Sequence, residues 1–328
     1  MIIAEIGSVH DGSLGNALKL IELAAACGAD VVKFQTHIGH AETLPDAPMP
    51  PYFKGEPRLE YFERTGFSPN QWRALKAACQ AAQVTFLSSP FSLEAVDLLE
   101  EVGVDSYKIP SGEVTNLPLL HHIAKTGKPV ILSSGMSNWS ELDAAVAALK
   151  PGGPVTVLQC TSAYPCPPER VGLNIIPEMK QRYGLPVGFS DHTDGCAAAF
   201  SAAALGASVV EKHLTFSKRM YGSDAANAME PEDFSVFCAG LKDIWTMSQH
   251  PVDKDDITPF QDMKRIFEKS VVSTRELPSG HVIEMPDLAF KKPGDGISAA
   301  AFQDVLGKRV KAAVSANHKF TWKDFNDS

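Results

Sequence analysis

The chain has 328 residues, 44% hydrophobic and 21% charged, and its 30 Lys and Arg against 39 Asp and Glu give a formal net charge of -9. That composition excludes a disordered or collagen-like chain and fits a soluble globular protein with a large core. The acidic total argues against nucleic acid or a membrane as partner. No stretch approaches the roughly 18 apolar residues of a membrane span, and Met1-Ile2-Ile3-Ala4-Glu5 has no basic segment ahead of an apolar one, so a cytoplasmic protein is expected.

Short β-branched runs recur in chain order: IIAEIG from residue 2, VVKFQTH from 31, VTFLSSPF from 84, SYKIPSG from 106, VILSSGM from 130, VTVLQC from 155, VGFSDH from 187 and VVEKHLT from 209. Between them lie Ala- and Leu-rich segments with helical periodicity, such as NALKLIELAAACGAD and ELDAAVAALK. Strand-then-helix units repeated in this way predict an α/β fold, a (β/α)8 TIM barrel over residues 1–249. One connection is unusually long: His37 to Asn70 carries Pro45, Pro48, Pro50, Pro51 and Pro57 with Tyr52, Phe53, Tyr61 and Phe62. Such length suggests either a functional loop or a surface excursion.

A helix from Pro231 to Gln249 is expected to close the barrel, followed by a polar linker over 250–269 beginning HPVDKDDITP. Residues 270–328 alternate short strands and turns and predict a small β-rich domain. The six cysteines, Cys27, Cys79, Cys160, Cys166, Cys196 and Cys238, form no CxxC pair and read as reduced thiols.

Residues two apart on a barrel strand face the same way, and several strands end on polar side chains where apolar ones would be ordinary. The second ends Lys33, Gln35, His37; the seventh Ser190, His192; the eighth Glu211, His213. The fourth gives Lys108 followed by Ser111 and Glu113, the third and fifth close on Ser88-Ser89 and Ser133-Ser134, and the first carries Glu5 with His10 just beyond. Active sites of this fold lie at the C-terminal mouth, so the pattern predicts a polar pocket there. His192 and His213, on adjacent strands, suit a catalytic divalent ion such as Mn2+ or Mg2+ with open coordination positions. Lys33 and Lys108 with Ser89, Ser111, Ser133 and Ser190 suit a phosphate and a carboxylate. Glu5, Glu211 and Asp224 can bind sugar hydroxyls or move protons. A Schiff-base class I aldolase using one of the lysines and a non-catalytic carbohydrate-binding protein remain the alternatives.

The strings AEIGSVHDGS (4 to 13), VVKFQTH (31 to 37), SSPFS (88 to 92), YKIPSGE (107 to 113), ILSSGM (131 to 136), CTSAYPCP (160 to 167), GFSDHT (188 to 193) and EKH (211 to 213) together resemble the N-acetylneuraminate (sialic acid) synthase family. The segment from about Ser270 resembles the antifreeze-like, or SAF, domain that follows the barrel there. The resemblance implies an enzyme that condenses phosphoenolpyruvate with an open-chain hexose, acetamido-substituted or related, and water to give a 2-keto-3-deoxy nonulosonic acid and phosphate. It implies Mn2+, with Mg2+ or Co2+ as alternates, on His192 and His213, and phosphoenolpyruvate on Lys33, Ser89, Lys108, Ser111, Ser133 and Ser190, with Glu5, Glu211 and Lys108 catalytic. Sugar contacts fall on Glu5, Gln35, Tyr164, Glu211 and Asp224. A domain-swapped homodimer is implied, in which the SAF domain presents an arginine of a KRPG motif; here the string is KKPG and Lys292 stands in its place. Lysine lacks the planar fork of arginine, which opens the sugar specificity.

Overall fold

A computed structural model describes residues 1–48 and 55–326. Pro50, Pro51, Tyr52 and Phe53 of the long connection lie outside the described residues. The chain divides into two compact units, Met1–His250 and Pro251–Ser328, and each is described by itself.

The first unit is a closed barrel of eight parallel strands: β1 (Ile2–Gly7), β2 (Val31–Thr36), β3 (Thr85–Pro90), β4 (Tyr107–Ile109), β5 (Val130–Ser133), β6 (Val155–Cys160), β7 (Val187–Asp191) and β8 (Val210–His213), with β8 paired back to β1. Helices α1 (Leu14–Ala26), α2 (Gly39–Glu42), α3 (Arg58–Thr65), α4 (Pro69–Ala81), α5 (Leu93–Val102), α6 (Leu117–Ala124), α7 (Trp139–Leu149), α8 (Ile175–Tyr183), α9 (Ala197–Ala204) and α10 (Pro231–Gln249) lie between and after them. Their starts follow from local chemistry. The side chains of Ser13, Ser92, Asn116 and Asn138 accept hydrogen bonds from first-turn N–H groups of α1, α5, α6 and α7, and Ser68 forms a reciprocal box with Gln71 ahead of Pro69.

Alternation along the strands sorts the barrel into two cores. Outward side chains such as Ile2, Ala4, Ile6, Val32, Phe34, Tyr107, Val157 and Phe189 pack against the helices. Inside, Ile3, Val31, Leu87, Ile131, Leu158 and Val209 form a separate apolar plug. Gly188 completes it: a β-carbon there would fall 2.5 Å from Leu158 Cδ2 and 2.4 Å from the Val209 carbonyl oxygen, so only glycine lets Leu158 fill the interior.

The hydroxyl pairs are divided by the same alternation. Ser89 and Ser133 share the inward parity of the plug residues, whereas Ser88 bonds Thr36 Oγ1 at 2.7 Å and Ser134 bonds Gln159 Oε1 at 3.4 Å. His10 is buried beyond β1, with its ring centroid 4.6 Å from Phe67 and its Nδ1 accepting from the Gly12 N–H at 3.0 Å; it does not line the mouth. Glu113 turns to the side-chain amide of Asn116 at 2.8 Å. The long connection after β2 folds into α2 and α3, and α3 delivers Arg58, Tyr61 and Phe62 to the mouth.

In the second unit the stretch expected as linker is helical in its latter part, as α11 (Gln261–Phe267), because a glycine- and proline-free run follows Pro259. Antiparallel β9 (Ser270–Ser273) and β10 (Leu288–Lys291) then pair, and Val271, Leu277, Ile283, Ile297, Val310 and Phe320 are among the residues of a core of its own. Among the described residues no helix is long and apolar enough to cross a membrane.

Burial pulls the His10 pKa down to about 4, against the attraction of Asp224 and Asp11. The unfolded chain therefore binds a proton that the native state refuses, and stability present above pH 6.5 is lost as the pH falls toward 4, by as much as about 3 kcal/mol. His10→Asn retains an acceptor for Gly12 and removes the titration. Urea denaturation from pH 7.5 to 4.5 is expected to show wild type losing its advantage over the variant on acidification; a stability difference that does not change with pH contradicts the assignment.

Candidate active site

Two residues beyond each plug side chain stands a polar one: Glu5 above Ile3, Lys33 above Val31, Ser89 above Leu87, Ser133 above Ile131, Cys160 above Leu158 and Glu211 above Val209. Strand register brings these together across the ladder, with Glu5 opposite both Lys33 and His213, and Ser190 opposite Glu211. All but Ser89 line the floor of a cavity of about 350 Å3 at the C-terminal mouth, whose walls include Gln35, His37, Arg58, Tyr164, His192 and Asp224. The volume is in the range of small-molecule sites.

The floor is a buried charge cluster. Lys33 Nζ lies 2.8 Å from Glu5 Oε2, 3.6 Å from Glu211 Oε1 and 3.4 Å from Ser89 Oγ. Lys108 Nζ lies 3.6 Å from the same Glu211 oxygen, which also accepts from Ser190 Oγ at 3.2 Å. The two carboxylates are driven apart. Burial raises the Glu5 pKa to about 7, with Lys33 opposing and Glu211 adding to the rise. Burial acts the same way on Glu211, but Lys108 and Lys33 outweigh it and bring that carboxyl to about 2. Lys33 is raised because Glu211 and Glu5 overcome its burial, whereas burial lowers Lys108. Two cationic side chains thus surround one permanently ionised carboxylate, and the floor favours an anion.

Several floor atoms are left for a ligand. Ser133 Oγ, Glu211 Oε2 and His213 Nδ1 are buried and have no hydrogen-bond partner among the described residues, an arrangement that costs free energy unless something binds. Ser111 Oγ accepts from the Gly135 N–H at 3.0 Å, which fixes its position in the cavity wall. Asp224 Oδ2 accepts from the Ser8 N–H and hydroxyl, each at 2.8 Å, and stays below its usual pKa because His213 and these bonds outweigh burial.

His192 and His213 stand with ring centroids 5.8 Å apart, and the Tyr164 ring lies 4.1 Å from His192. His192 Nδ1 lies 2.9 Å from the Thr161 carbonyl oxygen, so it carries a proton and donates, directing Nε2 elsewhere. Burial keeps His213 neutral, near a pKa of about 4. Two imidazole donors with an unpartnered buried nitrogen fit a divalent ion, although no group of three or more His, Cys, Asp or Glu suited to a metal occurs among the described residues; the remaining coordination positions would fall to substrate and water.

Of the barrel residues assigned to substrate or metal, all line this cavity but Ser89, which touches it through Lys33, whereas Ser88, Ser134, His10 and Glu113 of the strand-end pattern do not line it. Lys292 belongs to the second unit, where its Nζ lies 4.8 Å over the Phe267 ring. Sequence reasoning missed Arg58, which stacks on Phe62 at 5.2 Å, and Glu42, whose carboxylate meets His37 Nδ1 at 2.6 Å; no strand pattern covers either, since both lie in the long connection. Cys160 lies at the cavity wall with Sγ 3.8 Å from His192 Nδ1. Burial opposes charge on both, and their mutual attraction outweighs it, setting the thiol below and the imidazole above its ordinary value.

The pattern of the NeuB family matches residues 20–253, and that of the SAF domain matches residues 268–326. An N,N'-diacetyllegionaminic acid synthase of Campylobacter jejuni is 37% identical over 317 residues, covering 94% of this chain and 95% of that protein. The N-acetylneuraminate-9-phosphate synthase of Homo sapiens is 33% identical over 321 residues, covering 95% and 89%. Among solved structures, the N-acetylneuraminic acid synthetase of Leptospira borgpetersenii in complex with citrate superposes with a TM-score of 0.73 at 29% identity, covering 80% of this chain and 90% of that one.

Gly7 tests the wall holding Asp224. Its φ is +53°, and a β-carbon would fall 2.3 Å from Asp224 Oδ2, whereas Gly195, at φ +77°, has nothing within 4 Å. Gly195→Ala is expected to cost about 1–2 kcal/mol of backbone strain. Gly7→Ala is expected to cost clearly more; equal urea midpoints for the two variants contradict the close approach.

Proposed function

The chain belongs to the NeuB family, and from that premise we propose that it condenses phosphoenolpyruvate with an open-chain amino sugar and water, releasing phosphate and a 2-keto-3-deoxy nonulosonic acid. The observation that carries this reading is the buried floor, where Lys33 and Lys108 flank the ionised Glu211 beneath an open cavity. An enol phosphate brings two or three negative charges, and a low-dielectric pocket accepts them only if cations and donors are already in place.

In this reading Lys33 and Lys108 pair with the phosphate and carboxylate, and Ser89, Ser111, Ser133 and Ser190 supply directional donors. The bond forms between C3 of phosphoenolpyruvate and the aldehyde carbon, water adds at C2, and the C2–O bond to phosphate breaks. Both protons of the attacking water leave it: one balances the proton taken up by the aldehyde oxygen, and the other departs with phosphate as the C2 hydroxyl becomes the ketone. Glu5, with a pKa of about 7, can hold or release a proton at neutral pH, whereas Glu211 stays ionised and anchors the lysines. Gln35, Tyr164 and Asp224 take sugar hydroxyls along the wall. His192 and His213 would hold a divalent ion, Mn2+ first with Mg2+ or Co2+ as alternates, which supplies Lewis-acid polarisation of an aldehyde oxygen when bound.

The similarity to an N,N'-diacetyllegionaminic acid synthase favours a 2,4-diacetamido hexose as the sugar. We assign the reading of its substituent to Lys292 of the partner subunit in a domain-swapped homodimer.

Purified protein with Mn2+ and phosphoenolpyruvate is expected to release phosphate with at least one member of a panel of six-carbon aldoses and their 2-acetamido and 2,4-diacetamido derivatives; no release with any of them would falsify the proposal. His192→Ala and His213→Ala should each abolish turnover and lower the Mn2+ retained in equilibrium dialysis. Borohydride with pyruvate should leave Lys33 and Lys108 unmodified, and a trapped adduct on either points to the aldolase instead. Lys292→Arg should change the ratio of kcat/KM between acetamido and plain sugars, and an unchanged ratio removes Lys292 from recognition.

A further inference from the structure

Behind Glu5 runs a line of hydrogen bonds that the proposed reaction does not itself require. Gln35 Nε2 donates to Glu5 Oε1 at 2.7 Å, Gln35 Oε1 lies 3.1 Å from His37 Nε2, and His37 Nδ1 lies 2.6 Å from Glu42 Oε1. The His37 ring is clamped between Phe62 and Phe91, with centroids 3.8 Å and 4.0 Å away and planes within 13° and 21°. Both of its nitrogens face oxygens, and an oxygen without a proton can only accept. With the Glu42 and Gln35 oxygens both accepting, the ring donates from both nitrogens. Glu42 is itself fixed, because α2 packs closely on α3: a β-carbon at Gly39 would fall 2.8 Å from Glu63 Cγ.

An amide has one donating and one accepting end, and at Gln35 the Glu5 carboxylate on one side and His37 on the other together decide which end faces which. With His37 donating from Nε2, the amide oxygen turns toward the ring and the NH2 toward Glu5. Were Nε2 a lone pair, the amide would turn over and set its carbonyl oxygen against the Glu5 carboxylate. We propose that His37 and Glu42 are positioning residues that lock the Gln35 amide in one orientation and thereby hold the Glu5 carboxylate in place for the sugar. The proposal rests on the pocket being the condensation site described above. The charged and titratable groups facing His37 are Glu42 from α2, Arg58 from α3, Glu113 after β4, the neutral His10 after β1, and Glu5 through Gln35.

Glu42→Gln keeps the size of the side chain and removes the charge that retains the second ring proton. His37→Phe keeps the aromatic stack and removes both hydrogen bonds, so it serves where the first variant folds poorly. Each is expected to lower kcat/KM for the sugar about tenfold or more, with KM for phosphoenolpyruvate nearly unchanged. Nitrogen-15 spectra of labelled histidine at neutral pH should show both His37 nitrogens protonated in wild type and one in Glu42→Gln. A single protonated nitrogen in wild type, or sugar kinetics unaltered in folded variants of both positions, overturns the proposal. If wild type condenses no sugar at all, the functional reading fails, and the spectra still decide the orientation of Gln35.

Discussion

The mouth chemistry depends on one constraint: inside a closed parallel barrel, side chains alternate strictly and the interior has to be filled. Ile3, Val31, Leu87, Ile131, Leu158 and Val209 fill it with an apolar layer, and a chain that has turned these inward must turn inward whatever lies two residues further on. Glu5, Lys33, Ser89, Ser133, Cys160 and Glu211 are thus committed to a common floor by the packing beneath them. The same layer shuts off water from below, so the charges above it act on one another at low dielectric. That is why two glutamates on neighbouring strands titrate so differently, one near 7 and the other near 2.

Much of this was legible in the sequence. Period-two alternation marked Lys33 with Gln35 and Ser190 with His192 as facing one way, and strand order put His192 and His213 on neighbouring strands, whereas the register that sets His213 beside Glu5 is seen only in the structure. Adjacent serines were harder, because both members of Ser88-Ser89 are polar and only the parity of the apolar plug shows that Ser89 is the inward one. His10 illustrates a different failure: it follows β1 in sequence, but the turn after Gly7 carries it under Phe67 rather than over the mouth. Arg58 and Glu42 could not be found from strand patterns, since their positions depend on how α2 and α3 fold back.

The second unit has a different logic. Its strands are short and its core is small, so its stability rests on turns and side-chain ties such as Asp287, which is buried and meets Arg275 at 2.7 Å and His281 at 2.7 Å. Burial opposes ionisation of Asp287, but the bonds from His281 and the Glu284 N–H overcome it. The loop that carries Lys292 is therefore displayed by a frame held together by polar ties as well as apolar contact.

The two oxygens of Glu211 are not equivalent. Oε1 meets Lys33, Lys108 and Ser190, while Oε2 is buried with none of these. The cavity is accordingly asymmetric before any substrate arrives, with its cations gathered on one side of a single carboxylate and a bare acceptor on the other. A flat enol entering such a cavity would find its two faces in different electrostatic surroundings, and a preference for one handedness of the new bond can begin there.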